Sequence, residues 1–187
     1  MSDSSRPPDR QETFQLLYQT VYSDLIRFVQ RRTHAHHAED VVADAFLVVW
    51  RRLDELPKDH EDARAWVFGI ARNILLNNHR SEQRRSSLEV RLTDTTAFSD
   101  DSGADLVATR VDVSRAWLML SAVHQETLGL AVLEELKAPQ AAAVLGISPV
   151  AFRLRLSRAR RALQLHLDHL PQITPKSVEL SGRTPRS

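Results

Sequence analysis

Apolar residues recur at intervals of three and four from Phe14 onward, through Leu17, Tyr18, Val21, Leu25, Phe28 and Val29, the spacing of one buried helical face. This first helix is expected to end near Arg31-Arg32-Thr33, with His34, His36 and His37 in a turn. The stretch AEDVVADAFLVVWRRLDEL predicts a second helix with Val42, Ala45, Phe46, Val49 and Leu53 inward. Its acids Glu39 and Asp40 are expected in the first turn and Arg51 and Arg52 near the end, as the helix macrodipole favours. Pro57 and the charged turn KDHEDAR separate it from a third helix, Arg64 to Arg85, with Val67, Ile70, Ala71 and Ile74 inward. Periodicity lapses from Ser86 to Arg110, where TDTTAFSDDSGAD is polar and acidic and reads as a linker. It resumes at Val113, Trp117, Leu120 and Val123, then at Leu128, Val132 and Leu136.

The stretch from Leu136 to Leu163 has the form of a helix-turn-helix. Pro139 to Leu145 is a short alanine-rich helix with proline in its first turn. Gly146 can take the positive φ of a tight exit, and Ile147 can plug the angle between helices. Ser148 is a good N-cap and Pro149 a good first residue for the second helix. Phe152, Leu156, Ala159 and Leu163 form its inward stripe, with Arg155 and Arg158 expected opposite and Arg153, Arg160 and Arg161 on the flanks. With no acid until Asp168, this is the electrostatic footprint of a helix laid against phosphates, the alternative being a solvated basic face.

Composition changes this picture little. The 187 residues are 42% hydrophobic with only five glycines, which suits an all-α protein of two small helical domains. A net charge of +1 hides segregation, because Arg64 to Arg85 and Arg153 to Arg161 are basic while Asp94 to Asp105 is acidic. There is no cysteine, hence no disulfide, thiolate metal site or thiol nucleophile. The start, MSDSSRPPDR, lacks the apolar core of a signal peptide, and no stretch approaches the roughly 18 apolar residues of a membrane span, so a cytoplasmic protein without membrane insertion is expected. The domains expected are 11–86 and 111–170, joined by a flexible acidic linker at 87–110, with disordered tails at 1–10 and 171–187.

Three groups of residues carry candidate chemistry. On the second helix Asp40, Asp44, Leu47, Trp50 and Arg51 share a surface off the core stripe, either a protein-binding patch or, for Trp50, the sealed edge of the core. On the third, Trp66 and Phe68 precede an outer face of Arg72, Asn73, Asn77 and Arg80, ingredients for gripping unpaired bases, although at least one aromatic is expected in the core. The histidines 34, 36 and 37 fit neither a helical i,i+4 pair nor a zinc-finger half-site, so no metal and no cofactor are expected. No nucleophile with its base and no glycine-rich phosphate loop appears, so neither enzymatic activity nor a small-molecule substrate is expected.

From Phe14 to Leu163 the chain closely resembles the extracytoplasmic-function (ECF) group of bacterial sigma factors. AEDVVADAFLVVWRRL resembles that family's core-polymerase-binding helix, AWVFGIARNILLNNHR its minus-ten segment and VLGISPVAFRLRLSRARRAL its minus-thirty-five reader. The resemblance implies a region-two domain, the linker and a region-four domain. It assigns Asp40, Asp44, Phe46, Leu47, Trp50 and Arg51 to core RNA polymerase, whose largest-subunit coiled coil and flap would be contacted. It places Arg64, Trp66, Arg72, Asn73, Asn77, Asn78, Arg80 and Arg84 on minus-ten DNA, and Ser148, Val150, Ala151, Arg153, Leu154, Arg155 and Arg158 on minus-thirty-five DNA. Promoter DNA and an anti-sigma factor are the further partners implied, and the acidic linker would thread the polymerase channel.

The sequence departs from the family at Pro139-Gln140, where a pair of acids is usual, at Ala122-Val123, and at Leu154, where a small polar residue is common. The minus-thirty-five sequence read is therefore not implied. The short stretch after residue 170 is expected to hold no folded regulatory domain. A free-standing helix-turn-helix regulator would explain 111–170 but leave the aromatic and asparagine helix without a role.

Overall fold

The structure, a computed structural model, describes residues 9–86 and 104–169, with side chains excepted at 35, 36, 82–86 and 104–110. Its helices are α1 (Arg10–Gln30), α2 (Ala35–Arg51), α3 (His60–Ser86), α4 (Ala104–Leu118), α5 (Ala122–Leu128), α6 (Ala138–Leu145) and α7 (Pro149–Asp168). A 3₁₀ turn, Leu53–Glu55, follows α2, and one π-helical turn, Gly129–Leu133, continues α5. Among the described residues there is no strand.

Helices α1, α2 and α3 pack on one another because each presents the apolar stripe its periodicity announces. Leu17, Val21, Leu25, Phe28 and Val29 of α1 are buried against Val42, Ala45 and Val49 of α2 and Val67, Phe68 and Ala71 of α3; Tyr18, expected on the same face, is 40% exposed, at the edge of the stripe beside Phe46. At the centre the rings of Phe28 and Phe68 stack at 4.8 Å. Residues 104–169 form a second helical group in which α7 contacts α4, α5 and α6. Its separate core is small, with Leu120, Leu128 and Ala159 buried and Trp117, Leu156 and Leu163 packed around them.

The two groups are not held apart. Helix α6 packs along α3, and Leu130, Leu136, Ala141, Ala142, Val144 and Phe152 join the same buried cluster as Phe28 and Phe68. The two helices come close at Gly69, where an added Cβ would meet the Val144 Cα at 3.8 Å, an ordinary van der Waals contact.

Several boundaries differ from those read in the sequence. Helix α1 begins at Arg10 with Asp9 as its cap, and the Asp9 N–H donates to Glu12 at 3.3 Å, a capping-box contact. Helix α2 begins at Ala35, so His36 and His37 lie in its first turn and Glu39 and Asp40 beyond it. Helix α3 begins at His60 inside the charged turn. Residues 104–110, expected in the linker, are the first turns of α4, while 87–103 and the tails 1–8 and 170–187 lie outside the described residues. Val113, Val123 and Val132, expected inward, are 42%, 50% and 57% exposed. The π turn is the reason beyond residue 129, because its wider hydrogen-bonding step breaks the 3.6-residue period.

Candidate nucleic-acid and partner interfaces

The outer face of α2 presents Asp40, Asp44, Leu47, Trp50 and Arg51, all exposed. Trp50 is 40% exposed, which favours the patch over a sealed core edge. Phe46 does not share that face: it is buried, with its ring 4.7 Å from Tyr18 and 6.0 Å from Phe14. Trp50 is held from α1. Phe14 meets it edge-on at 5.1 Å, and the Arg10 guanidinium stands 5.4 Å over its ring. Arg10 also donates to the Trp50 carbonyl at 2.7 Å and to Asp54 at 2.8 Å. Sequence reasoning left Arg10 in a disordered tail, although Asp9 and Glu12 carry the spacing of a capping box.

Helix α3 divides its expected DNA residues into two sets. Asn73, Asn77, Asn78 and Arg80 are exposed along one stretch, and the Arg84 side chain lies outside the described residues. Phe68 is core, and Trp66 is half-buried with the Arg52 guanidinium 5.7 Å from its ring. Arg64 and Arg72 turn toward the second helical group instead. Arg64 donates to Asp24 and to the Glu134 carbonyl, both at 2.9 Å. Arg72 makes a two-pronged pair with the Glu126 carboxylate at 2.6 and 3.1 Å.

Sequence reasoning missed the residue at the centre of this contact. Glu134 is 1% exposed and receives Arg31 at 2.6 Å and Arg32 at 3.3 Å. Arg32 lies 3.7 Å over Phe28, and burial pushes its pKa below the ordinary arginine value against the opposing pull of Glu134. A buried carboxylate needs such partners, since an isolated buried charge is strongly disfavoured. Gln140 adds a hydrogen bond to Asp62 at 2.8 Å, so α6 is also tied to α3 at its polar edge.

The helix-turn-helix forms as its residues direct. Gly146 takes φ 66°, Ile147 packs against the large core, and the Ser148 hydroxyl accepts from the Ala151 N–H at 3.1 Å. On α7, Val150, Arg153, Leu154 and Arg158 are exposed, and Ala151 is half-buried. Arg155 is half-buried too, on the flank rather than opposite the inward stripe, because residue 155 lies only about 60° round the helix from Phe152 at 3.6 residues per turn. Among the described residues none of the five α7 arginines has a carboxylate partner. Among these residues, too, no three His, Asp or Glu side chains are arranged to hold a metal ion, and no helix is long and apolar enough to cross a membrane.

The chain is 32% identical over 158 residues to the ECF RNA polymerase sigma factor SigL of Mycobacterium tuberculosis, covering 82% of this chain and 88% of SigL. It belongs to the ECF sigma factors. The Sigma-70 region 2 family matches residues 17–85, which take in the last two-thirds of α1, all of α2 and nearly all of α3. CnrH of Cupriavidus metallidurans is 31% identical, with 70% of this chain and 73% of CnrH covered. Among solved structures, the sigma factor RpoE in complex with the anti-sigma factor NepR from Bartonella quintana superposes with a TM-score of 0.65 at 26% identity, covering 83% of this chain and 97% of that one. CnrH in complex with the cytosolic domain of CnrY does so at 0.55 and 25%, covering 84% and 89%. This ECF sigma factor acts in transcription initiation, with RNA polymerase and promoter DNA as its partners, and its family is not a family of enzymes.

Proposed function

We propose that this sigma factor, in the cytoplasm and with no catalysis of its own, docks on core RNA polymerase through the outer face of α2. Trp50 is the anchor, Leu47 and Arg51 flank it, and Asp40 and Asp44 form the acidic end. Asn73, Asn77, Asn78 and Arg80 of α3 then grip the unpaired minus-ten strand, where each stacked or splayed base returns part of the cost of melting. Helix α7 enters the major groove of the minus-thirty-five element with Arg153 and Arg158 on phosphates. The observation that carries the reading is α7 itself: a capped helix whose arginines have no carboxylate partner among the described residues.

The packed arrangement of the two groups supports a resting state. With Arg64 on Asp24 and Glu134, and Arg72 on Glu126, two expected minus-ten contacts are occupied, so the groups separate before both promoter elements are engaged. An anti-sigma factor is the partner expected to hold this state, as structures similar to this chain are sigma factors in complex with anti-sigma factors. The test is the salt dependence of promoter binding by the polymerase holoenzyme. Replacing Arg153 or Arg158 with alanine is expected to reduce the slope of log affinity against log salt by about 1 per arginine. Unchanged slopes for both would remove α7 from the DNA.

A further inference from the structure

Two apolar side chains in the first half of α7 have no role in the fold. Val150 and Leu154 are 61% and 55% exposed and stand one helical turn apart, near enough to act as a pair. The core side of the helix is already supplied by Phe152, Leu156 and Ala159. Arg153, Arg158 and Arg161 surround the pair, are themselves exposed, and have no carboxylate partner among the described residues. Whatever covers Val150 and Leu154 therefore accepts apolar carbon at two points and positive charge all around. A lipid surface would want a broad apolar stripe, but the broad stripe of α7 faces the protein. Duplex DNA fits: it is anionic along both strands, and its major groove displays one apolar group, the C5-methyl of thymine.

Given the assignment of α7 to promoter DNA, on which this rests, we infer that Val150 and Leu154 each contact a thymine methyl in the minus-thirty-five element. Both lie in the first half of the helix, the part that reaches base edges in this type of docking. One helical turn advances about 5.4 Å against about 3.4 Å per base pair, so the two thymines lie one or two steps apart, on either strand. Serine or glutamine at these positions would offer hydrogen bonds to several bases; valine and leucine offer only contact, which selects for the methyl.

The experiment uses holoenzyme assembled from the full chain and bacterial core RNA polymerase, selecting from duplexes with a randomised minus-thirty-five region. Wild type is expected to enrich thymine at two positions one or two steps apart. Duplexes remade with deoxyuridine there, lacking only the methyl, are expected to bind about fourfold more weakly per replacement, the effect of one buried CH₂. Holoenzyme carrying Leu154→Gln is expected to be indifferent to one of the two replacements, and holoenzyme carrying Val150→Ala to the other. Selection without thymine, or deoxyuridine effects absent in wild type or unchanged in both variants, would overturn the inference while leaving α7 as the DNA reader. A holoenzyme that selects no minus-thirty-five sequence would overturn both.

Discussion

Removing the Glu134 carboxylate would leave Arg31 and Arg32 side by side, both mostly buried, with their shared counter-charge gone. Breaking a buried ion pair from one side costs about 3 kcal/mol, so Glu134→Ala is expected to lower the thermal midpoint by roughly 6–12 °C; an unchanged melt would show that the arginines find other partners. Two backbone positions test a different term. Glu135 has φ 53° without being glycine, so Glu135→Gly is expected to stabilise by about 1 kcal/mol. Gly146 has φ 66°, and a Cβ added there would meet nothing within 4 Å, so Gly146→Ala is expected to destabilise by a similar amount through backbone strain alone. Denaturant titration would show the opposite signs; a shared sign would contradict the assignment to backbone conformation. Gly146 was legible in the sequence because a glycine between an apolar helix and Ile-Ser-Pro announces a left-handed exit. Glu135 was not, since nothing in a glutamate announces positive φ.

At the scale of elements, periodicity was most reliable where a helix buries a single continuous face. Helices α1, α2 and α3 bury the stripes read from their spacing, Leu17 to Val29 apart from the exposed Tyr18, Val42 to Val49 and Val67 to Ala71. Around α5 the same reasoning chose Val123 and Val132, which are exposed, and passed over Thr127 and Glu134, which are buried; at Val132 and Glu134 the cause is the π turn, which is invisible to a 3.6-residue template. The start of α7 depends on a local signal that was legible, the Ser148 cap before Pro149. Ser148→Ala is expected to cost about 1 kcal/mol and to loosen the first turn, which carries Val150. Amide exchange over 150–152 should rise accordingly, and unchanged protection there would mean that packing on α6 alone sets the helix start.

The closed packing of the whole molecule was not legible, because it depends on pairs such as Arg72 with Glu126 and Arg31 with Glu134, 54 and 103 residues apart, on helices whose individual patterns are unremarkable. It is testable directly. The chain has no cysteine, so a Gly69→Cys, Val144→Cys variant carries one possible intramolecular disulfide at the close approach of α3 and α6. The oxidised form is expected to lose promoter-directed transcription and dithiothreitol to restore it; an oxidised form as active as the reduced one would show that initiation proceeds without separating the two groups. Docking on polymerase through α2 is measured by the affinity of this chain for purified bacterial core RNA polymerase, wild type beside Trp50→Ala, Arg51→Ala. Saturable binding by wild type, weakened about 30-fold or more in the variant as for loss of a hot-spot anchor, is the expected result. Folded wild-type protein with no affinity for core polymerase would contradict it.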